Sequence, residues 1–234
     1  MSSKAKTLVF LPCCKRKDPT GNVFGGGVAV TQNDLPQMWN ALIQGRGHHQ
    51  NNLRGRTLTS ALLLYQGLLY QNMQPCIQGV KAQFNSETHR GFILAPPYGV
   101  VDAREPIKNY NLDLTGPVAA QWRTVGLADI LSELILRHKP KHVFGYFCGP
   151  KAWNAGRNMA RWFFTEAATM ARQHVRNPGT WGCFHNVAGN APALRVLGDV
   201  LCDHAGTGFD PRFANNMINQ HHVRRAGTIG FDPI

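Results

Sequence analysis

The spacing of apolar and polar positions along the chain predicts strands that alternate with helices. Short apolar runs bounded by proline or glycine predict buried strands at residues 7–11, 91–95, 141–148 and 181–187. Apolar residues at helical spacing, or a helix-starting proline, predict helices at 35–43, 57–70, 115–137, 151–174 and 192–204. This alternation is typical of a parallel sheet covered by helices on both faces.

Two segments do not fit the alternation. Residues 20–56 are polar and glycine-rich, so we predict an insertion that is partly ordered or that orders on a ligand. The tail from about residue 206 is polar, and we predict it to be irregular. With 234 residues, the chain is expected to form one domain over 1–234, a three-layer α/β/α fold with a mainly parallel central sheet.

No apolar run approaches the roughly 18 residues that a membrane helix needs. The apolar stretch near the N-terminus covers only residues 8–12, too short for the core of a signal peptide. A cytoplasmic location is therefore predicted.

The six cysteines contain no Cys-x-x-Cys pair, and the ten histidines contain no His-Glu-x-x-His set. We therefore predict reduced thiols, no metal and no cofactor. An iron–sulfur cluster held by four cysteines is the less favoured alternative.

The net charge is the feature of the composition that bears most on function. The net charge is +12, and the halves before and after residue 117 contribute 12 basic against 6 acidic and 13 basic against 7 acidic residues. The excess is thus built into the whole chain and not carried by a tail. An extended basic surface is typical of proteins that bind nucleic acid.

The carboxyl ends of parallel strands share one edge of a sheet, where ligands bind in such folds. Three loops should meet there: residues 13–18, 96–113 and 149–154. The first loop carries Lys15, Arg16 and Lys17, which are predicted to hold phosphates, followed by Asp18. The alternative for this basic triplet is a solvated turn.

The second loop brings together aromatic rings, carboxylates and cations, the residue types of a base-handling pocket. Its pocket candidates are Tyr98, Tyr110 and Asn109, with Cys14 from the first loop; its carboxylates are Asp102 and Asp113; its cations are Arg104 and Lys108. The alternative is a long polar loop whose tyrosines pack on the core and whose carboxylates pair with its cations.

Further cations are candidates for tracking a nucleic-acid backbone. At helical spacing, Arg157, Arg161, Thr165 and Arg172 share one face of the predicted 151–174 helix, which begins at Lys151. Arg224 and Arg225 follow a histidine pair near the C-terminus. A solvated helix face and a surface tail are the alternatives.

Four motifs in order resemble a known family. They are Cys13-Cys14-Lys15-Arg16-Lys17, then Leu64-Tyr65-Gln66-Gly67-Leu68-Leu69-Tyr70, then Ala95 to Val101, and a Pro-x-x-x-Tyr-Asn segment at 106–111. The pattern over residues 7–113 is similar to bacterial and phage domains related to YaaA and to the catalytic core of archaeosine synthase. The chain departs from that pattern at Asn111, where relatives often carry aspartate, and in the insertion at 20–56.

The resemblance implies the uracil-DNA-glycosylase fold and work on bases in nucleic acid. The expected activity is excision of a modified base from DNA, leaving an abasic site, in defence against phage with modified cytosines. Asp102 is the first choice for the catalytic carboxylate, with Asp113, Asp18 and a Lys15 nucleophile as reserves. The expected partner is DNA, double-stranded with a flipped base or single-stranded, with no membrane and no obligatory protein partner.

Two other classes of function stay open. A non-enzymatic DNA-binding protein would explain the charge without chemistry. An enzyme acting on free nucleosides or nucleotides would explain the carboxylates and tyrosines but not the charge.

Overall fold

The structure is a computed structural model that describes residues 6–154, 156–186, 193–218, 222–224 and 227–234. Its strands are β1 Thr7–Pro12, β2 Leu53–Ser60, β3 His89–Ala95, β4 Gly99–Asp102, β5 Pro106–Tyr110, β6 His142–Tyr146, β7 Trp181–Asn186, β8 His222–Arg224 and β9 Gly227–Pro233. Its helices are α1 Trp39–His48, α2 Ala61–Leu64, α3 Leu68–Met73, α4 Ile77–Asn85, α5 Gly116–Val125, α6 Leu127–His138, α7 Ala160–Arg172, α8 Ala193–Gly206 and α9 Pro211–Asn216.

Seven strands form the main sheet in the order β4-β3-β1-β6-β7-β9-β8, and β2 pairs with β5 in a separate ribbon. The central pairs β3–β1, β1–β6 and β6–β7 are parallel, whereas β4, β9 and β8 join antiparallel. The predicted α/β class with mostly parallel central strands is confirmed, and the predicted strands correspond to β1, β3, β6 and β7.

Two apolar cores cover the two faces of this sheet. Leu8 and Phe10 of β1 belong to one core and Val9 and Leu11 to the other, as the alternation of side chains along a strand requires. Helices α5, α6 and α7 pack on the first face, and α3, α4 and α8 on the second. Because β1 is buried on both faces, its sequence is a continuous apolar run.

The chain leaves β1 towards β3 on one side and later enters β6 on the other side of β1. The connections therefore diverge between the carboxyl ends of β1 and β6, the point where ligands bind in open α/β sheets.

The predicted helix at 57–70 is wrong. Residues 53–60 form β2, which pairs antiparallel with β5, and only the short helices α2 and α3 follow. Gly67, with extended backbone, separates α2 from α3. Pairing with a distant strand outweighs a local apolar spacing that fits either structure.

Two further helices differ from prediction. The predicted helix at 115–137 is divided into α5 and α6 at Gly126, which has a φ of +85°. The predicted helix at 151–174 begins only at Ala160, after a turn in which Arg157 N–H donates to the Asn154 carbonyl. The predicted helix at 35–43 lies further along the chain, as α1.

The tail was also predicted incorrectly, because it is not irregular. It contains α9, and β9 extends the main sheet by pairing with β7. Ile229 and Phe231 of β9 are buried in the second core, two residues apart as a strand requires. The apolar alternation was too short to stand out from a polar tail.

Cys76 and Cys202 form a disulfide with a Cα–Cα distance of 5.7 Å, whereas Cys13, Cys14, Cys148 and Cys183 are free. The prediction of reduced thiols is therefore wrong for the first pair. Disulfides are uncommon in a reducing cytoplasm, so the location stays a prediction. In the described part of the chain, no helix is long and apolar enough to cross a membrane.

Candidate functional site

The basic loop after β1 is held in place by the α2–α3 segment. Asp18 N–H donates to the Leu64 carbonyl at 2.8 Å, and Gln66 N–H donates to the Arg16 carbonyl at 2.9 Å. Gly67 N–H donates to the Cys14 sulfur at 3.0 Å. These bonds tie the first two motifs of the sequence together at the carboxyl end of β1.

Gly67 permits this close approach. A Cβ atom at this position would lie 2.7 Å from the Cys14 Cβ, closer than carbon atoms pack. The glycine of the Leu-Tyr-x-Gly motif is therefore required for contact between the two segments, and not for a turn of its own.

A cluster of tyrosines closes the carboxyl end of β1. The Tyr65 and Tyr110 hydroxyls lie 2.5 Å apart, and the Tyr70 hydroxyl donates to the Pro12 carbonyl at 2.6 Å. Tyr98 packs edge-on against Tyr110 with 6.1 Å between ring centroids. Burial raises the pKa values of Tyr65, Tyr70 and Tyr110 well above their ordinary value, so these phenols stay neutral.

Lys17 lies over this cluster. Its Nζ is 4.1 Å from the centroid of the Tyr110 ring and 5.8 Å from that of Tyr65, which is cation–π geometry. Burial lowers the pKa of Lys17, although the neighbouring Cys13 and Cys14 oppose the shift. Burial also raises the pKa of the Cys13 thiol to about 12, so that thiol is not a nucleophile at neutral pH.

Lys15 and Asp113 form the outer edge of the cluster. The Lys15 Nζ lies 2.9 Å from Asp113 Oδ2, with 78% of the lysine side chain and 29% of the aspartate side chain exposed. A hydrogen bond from Lys15 to Asp113 raises the pKa of Lys15, so its amine is a poorer nucleophile than that of Lys17. The charge of Asp113 also acts on Lys17, which places this carboxylate within electrostatic reach of the cluster.

We call Lys15, Lys17, Tyr65, Tyr98, Tyr110 and Asp113 the rim cluster. The other first-loop candidates surround it: Cys14 is half-buried, and Arg16 and Asp18 are exposed. Asn109 and Lys108 lie on β5, and the Asn109 Oδ1 accepts from Tyr110 N–H at 2.7 Å. The residue after Asp113 contacts the segment that follows the third loop, since Met159 N–H donates to the Leu114 carbonyl at 2.9 Å.

Asp102 and Arg104 do not lie at this edge. β4 runs back along β3, and Asp102 is opposite Phe92, three residues before β3 ends at Ala95. The Asp102 side chain is fully buried, and its oxygens lie 2.7 Å from Arg90 Nε and 2.9 Å from Arg104 Nε. The expected loop at 96–113 instead contains two strands, and the reversal at β4 removes this carboxylate from the other candidates.

The predicted basic stripe on the 151–174 helix is wrong. Arg157 precedes α7, and Arg161 is buried, where its guanidinium lies 2.5 Å from Asp232 Oδ2 and donates to the Gly149 carbonyl. Lys151 is exposed, and its Nζ is 3.7 Å from the same Asp232 oxygen. The side chains of Arg224 and Arg225 lie outside the described residues.

A second polar group at the ends of β6 and β7 was missed by the sequence analysis. His185 Nε2 lies 3.0 Å from Asp232 Oδ1, beside Arg161 and Lys151. Burial, together with the Arg161 charge, lowers the pKa of His185. His185 lies near the end of a strand that the sequence predicted, so its position at this edge could have been inferred. Asp232 lies in the tail that was predicted to be irregular, so its position could not.

Among the described residues, no three or more histidine, cysteine or acidic side chains are grouped to hold a metal ion. Comparison of the chain with models of known protein families and with curated protein sequences finds no match.

Proposed function

We propose that the protein is a DNA glycosylase with a uracil-DNA-glycosylase-like fold that excises a modified base. The observation that carries the proposal is the rim cluster itself. It combines neutral aromatic side chains, a half-buried ammonium group and a partly exposed carboxylate at the strand divergence of a basic α/β protein.

Each part of the cluster suits a step of base excision. A flipped base stacks against the partly exposed Tyr98, while Lys17 and Arg16 attract the adjacent phosphates. Cleavage of the N-glycosidic bond develops positive charge on the sugar, and a carboxylate stabilises that charge and orients water. Asp113 takes this role in the proposal, since Asp102 is enclosed by two arginines.

One observation favours a second candidate, a DNA-binding protein without catalysis. Asp113 is paired with Lys15, so the carboxylate oxygen that would orient water is already engaged by an ammonium group. In the glycosylase, an arriving phosphate must draw Lys15 away from Asp113 before water is activated.

The proposal is tested by incubating the protein with duplexes that carry different modified cytosines and uracils and scoring alkali-labile abasic sites. Asp113→Asn keeps the shape and removes the charge, so single-turnover excision should fall about 10²-fold while DNA binding persists. Asp18→Asn tests the reserve carboxylate, which is exposed on the loop after β1 and which in this proposal should leave excision unchanged. DNA binding without excision of any base would instead support the second candidate.

A further inference from the structure

The ribbon of β2 and β5 is interrupted by a bulge next to the rim cluster. Arg54 pairs with Asn109 and Leu58 pairs with Lys108, so residues 55–57 have no partners on β5. Gly55, in the bulge, has a φ of +71° and open space where a Cβ would lie. Bulges of this kind change the direction of a strand and present side chains to solvent.

The register places this bulge beside the proposed site. Leu53 pairs with Tyr110, the residue whose ring lies 4.1 Å from Lys17 Nζ. Arg54 is the next residue of β2 and pairs with Asn109, so the bulge begins two residues after Leu53. The pairing of Leu53 with Tyr110 therefore joins the ribbon directly to the rim cluster.

Exposed cations lie in the bulge and beside it, and no acidic side chain pairs with the two arginines among them. Arg54, Arg56 and Lys108 are all exposed, and the chain has no acidic residue between Asp34 and Glu87. Within the described ranges, neither arginine has a salt-bridge partner. The other arginines near β4 and β5 differ, since Arg46 and Arg104 are paired with Glu105 and Asp102.

We propose that Arg54 and Arg56 bind phosphates of a polynucleotide strand whose neighbouring nucleotide enters the rim cluster. Guanidinium groups pair with phosphate through two parallel hydrogen bonds, which suits an exposed, unpaired arginine. A free nucleoside or nucleotide held in the cluster would leave this surface unused. The inference rests on the proposed function and adds to it the surface that holds the strand beside the flipped nucleotide.

The experiment measures binding of a fluorescein-labelled 20-base-pair duplex, and of one of its strands, from 50 to 200 mM salt. Arg54→Ala with Arg56→Ala should weaken binding about tenfold at 100 mM salt and reduce the slope of log affinity against log salt by about 1.4–1.8, for two lost phosphate contacts. The control is Lys141→Ala with Arg176→Ala, which removes the same charge from exposed residues outside the rim cluster. Its affinity should change less than about twofold, since distant exposed charges are screened by salt.

Replacing Arg54 and Arg56 by lysine should give an affinity between those of the wild type and the double alanine variant, because charge is retained without the guanidinium geometry. If the double alanine variant binds DNA as tightly as the wild type, the inference is overturned and the proposed function is left intact. An equal loss of affinity in the control variant would have the same consequence. Failure of the wild-type protein to bind either DNA would overturn both proposals.

Discussion

The segment from residue 96 to residue 113 contributes carboxylates to two different regions of the molecule. Asp113 lies in the rim cluster and pairs with one exposed lysine. Asp102 lies in a buried network, where Arg90 and Arg104 engage its oxygens and Arg90 also reaches Asp34 at 2.9 Å. The two aspartates are eleven residues apart in the sequence, yet solvent reaches only one of them.

The difference in burial gives the two ion pairs different energetic weights. An exposed ion pair contributes about 0–1 kcal/mol to stability and can exchange its partner for a ligand. A buried pair cannot lose one member cheaply, because the remaining charge is left without solvent or partner. The buried network therefore stabilises the fold, whereas the Lys15–Asp113 pair can open at little cost in stability.

The buried network also explains how the glycine-rich insertion becomes ordered. Burial raises the pKa of Asp34, but hydrogen bonding with His138 and the Arg90 charge together hold it well below its ordinary value. The Val30 N–H donates to Glu105 Oε2 at 3.1 Å. These contacts fasten the insertion to β3, to α6 and to the turn between β4 and β5.

The largest expected effect separates Asp102 from Asp113. Asp102→Asn should lower the free energy of unfolding by about 3–5 kcal/mol, because it leaves the largely buried Arg104 without its counter-charge and Arg90 with Asp34 alone. Asp113→Asn should change it by less than about 1 kcal/mol. Urea denaturation of both variants measures the contrast, and equal losses would contradict it.

Gly67→Ala should have an intermediate effect and connects stability with binding. The added methyl group meets Cys14, so the loop after β1 must shift, at a cost of about 1–3 kcal/mol and with weaker DNA binding. Gly79→Ala is the matched control, since the Cβ at this position in α4 meets nothing within 4 Å. That control should be neutral or stabilising by up to about 1 kcal/mol. Normal DNA binding by Gly67→Ala would show that the loop position does not matter.

The smallest effect concerns the pH dependence of binding. Because burial lowers the pKa of Lys17, its positive charge is present below that pKa and is lost, on raising the pH, sooner than that of an ordinary lysine. Binding titrations from pH 7 to 10 should show wild-type affinity declining, whereas Lys17→Arg, which stays charged, should decline less. Lys15→Arg is the control and should follow the wild type, since Asp113 raises the pKa of Lys15. Identical profiles for all three proteins would remove Lys17 from the binding surface.

Prediction from sequence succeeded for strands in which nearly every consecutive residue is buried. β1, β3, β6 and β7 are apolar runs that a strand buried on both faces requires, and no competing periodicity obscures them. The same inference predicted that the first and second loops share this edge, and the Lys15–Asp113 pair, which was not itself predicted, joins them. Prediction failed at β2 and β9, whose paired residues on β5 and β7 are 43 or more positions away in the chain.

The sequence by itself determined the α/β class, the central strands, the basic charge and the loop that follows β1, because each depends on composition or on local periodicity. Only the tertiary structure decided which carboxylate is buried and which is exposed. The reversal of the chain at Gly99 takes Asp102 back along β3 to its arginines, and β5 then returns the chain so that Asp113 meets Lys15. Burial and ion pairing depend on neighbours that are distant in sequence, so the pattern around each aspartate could not distinguish their roles.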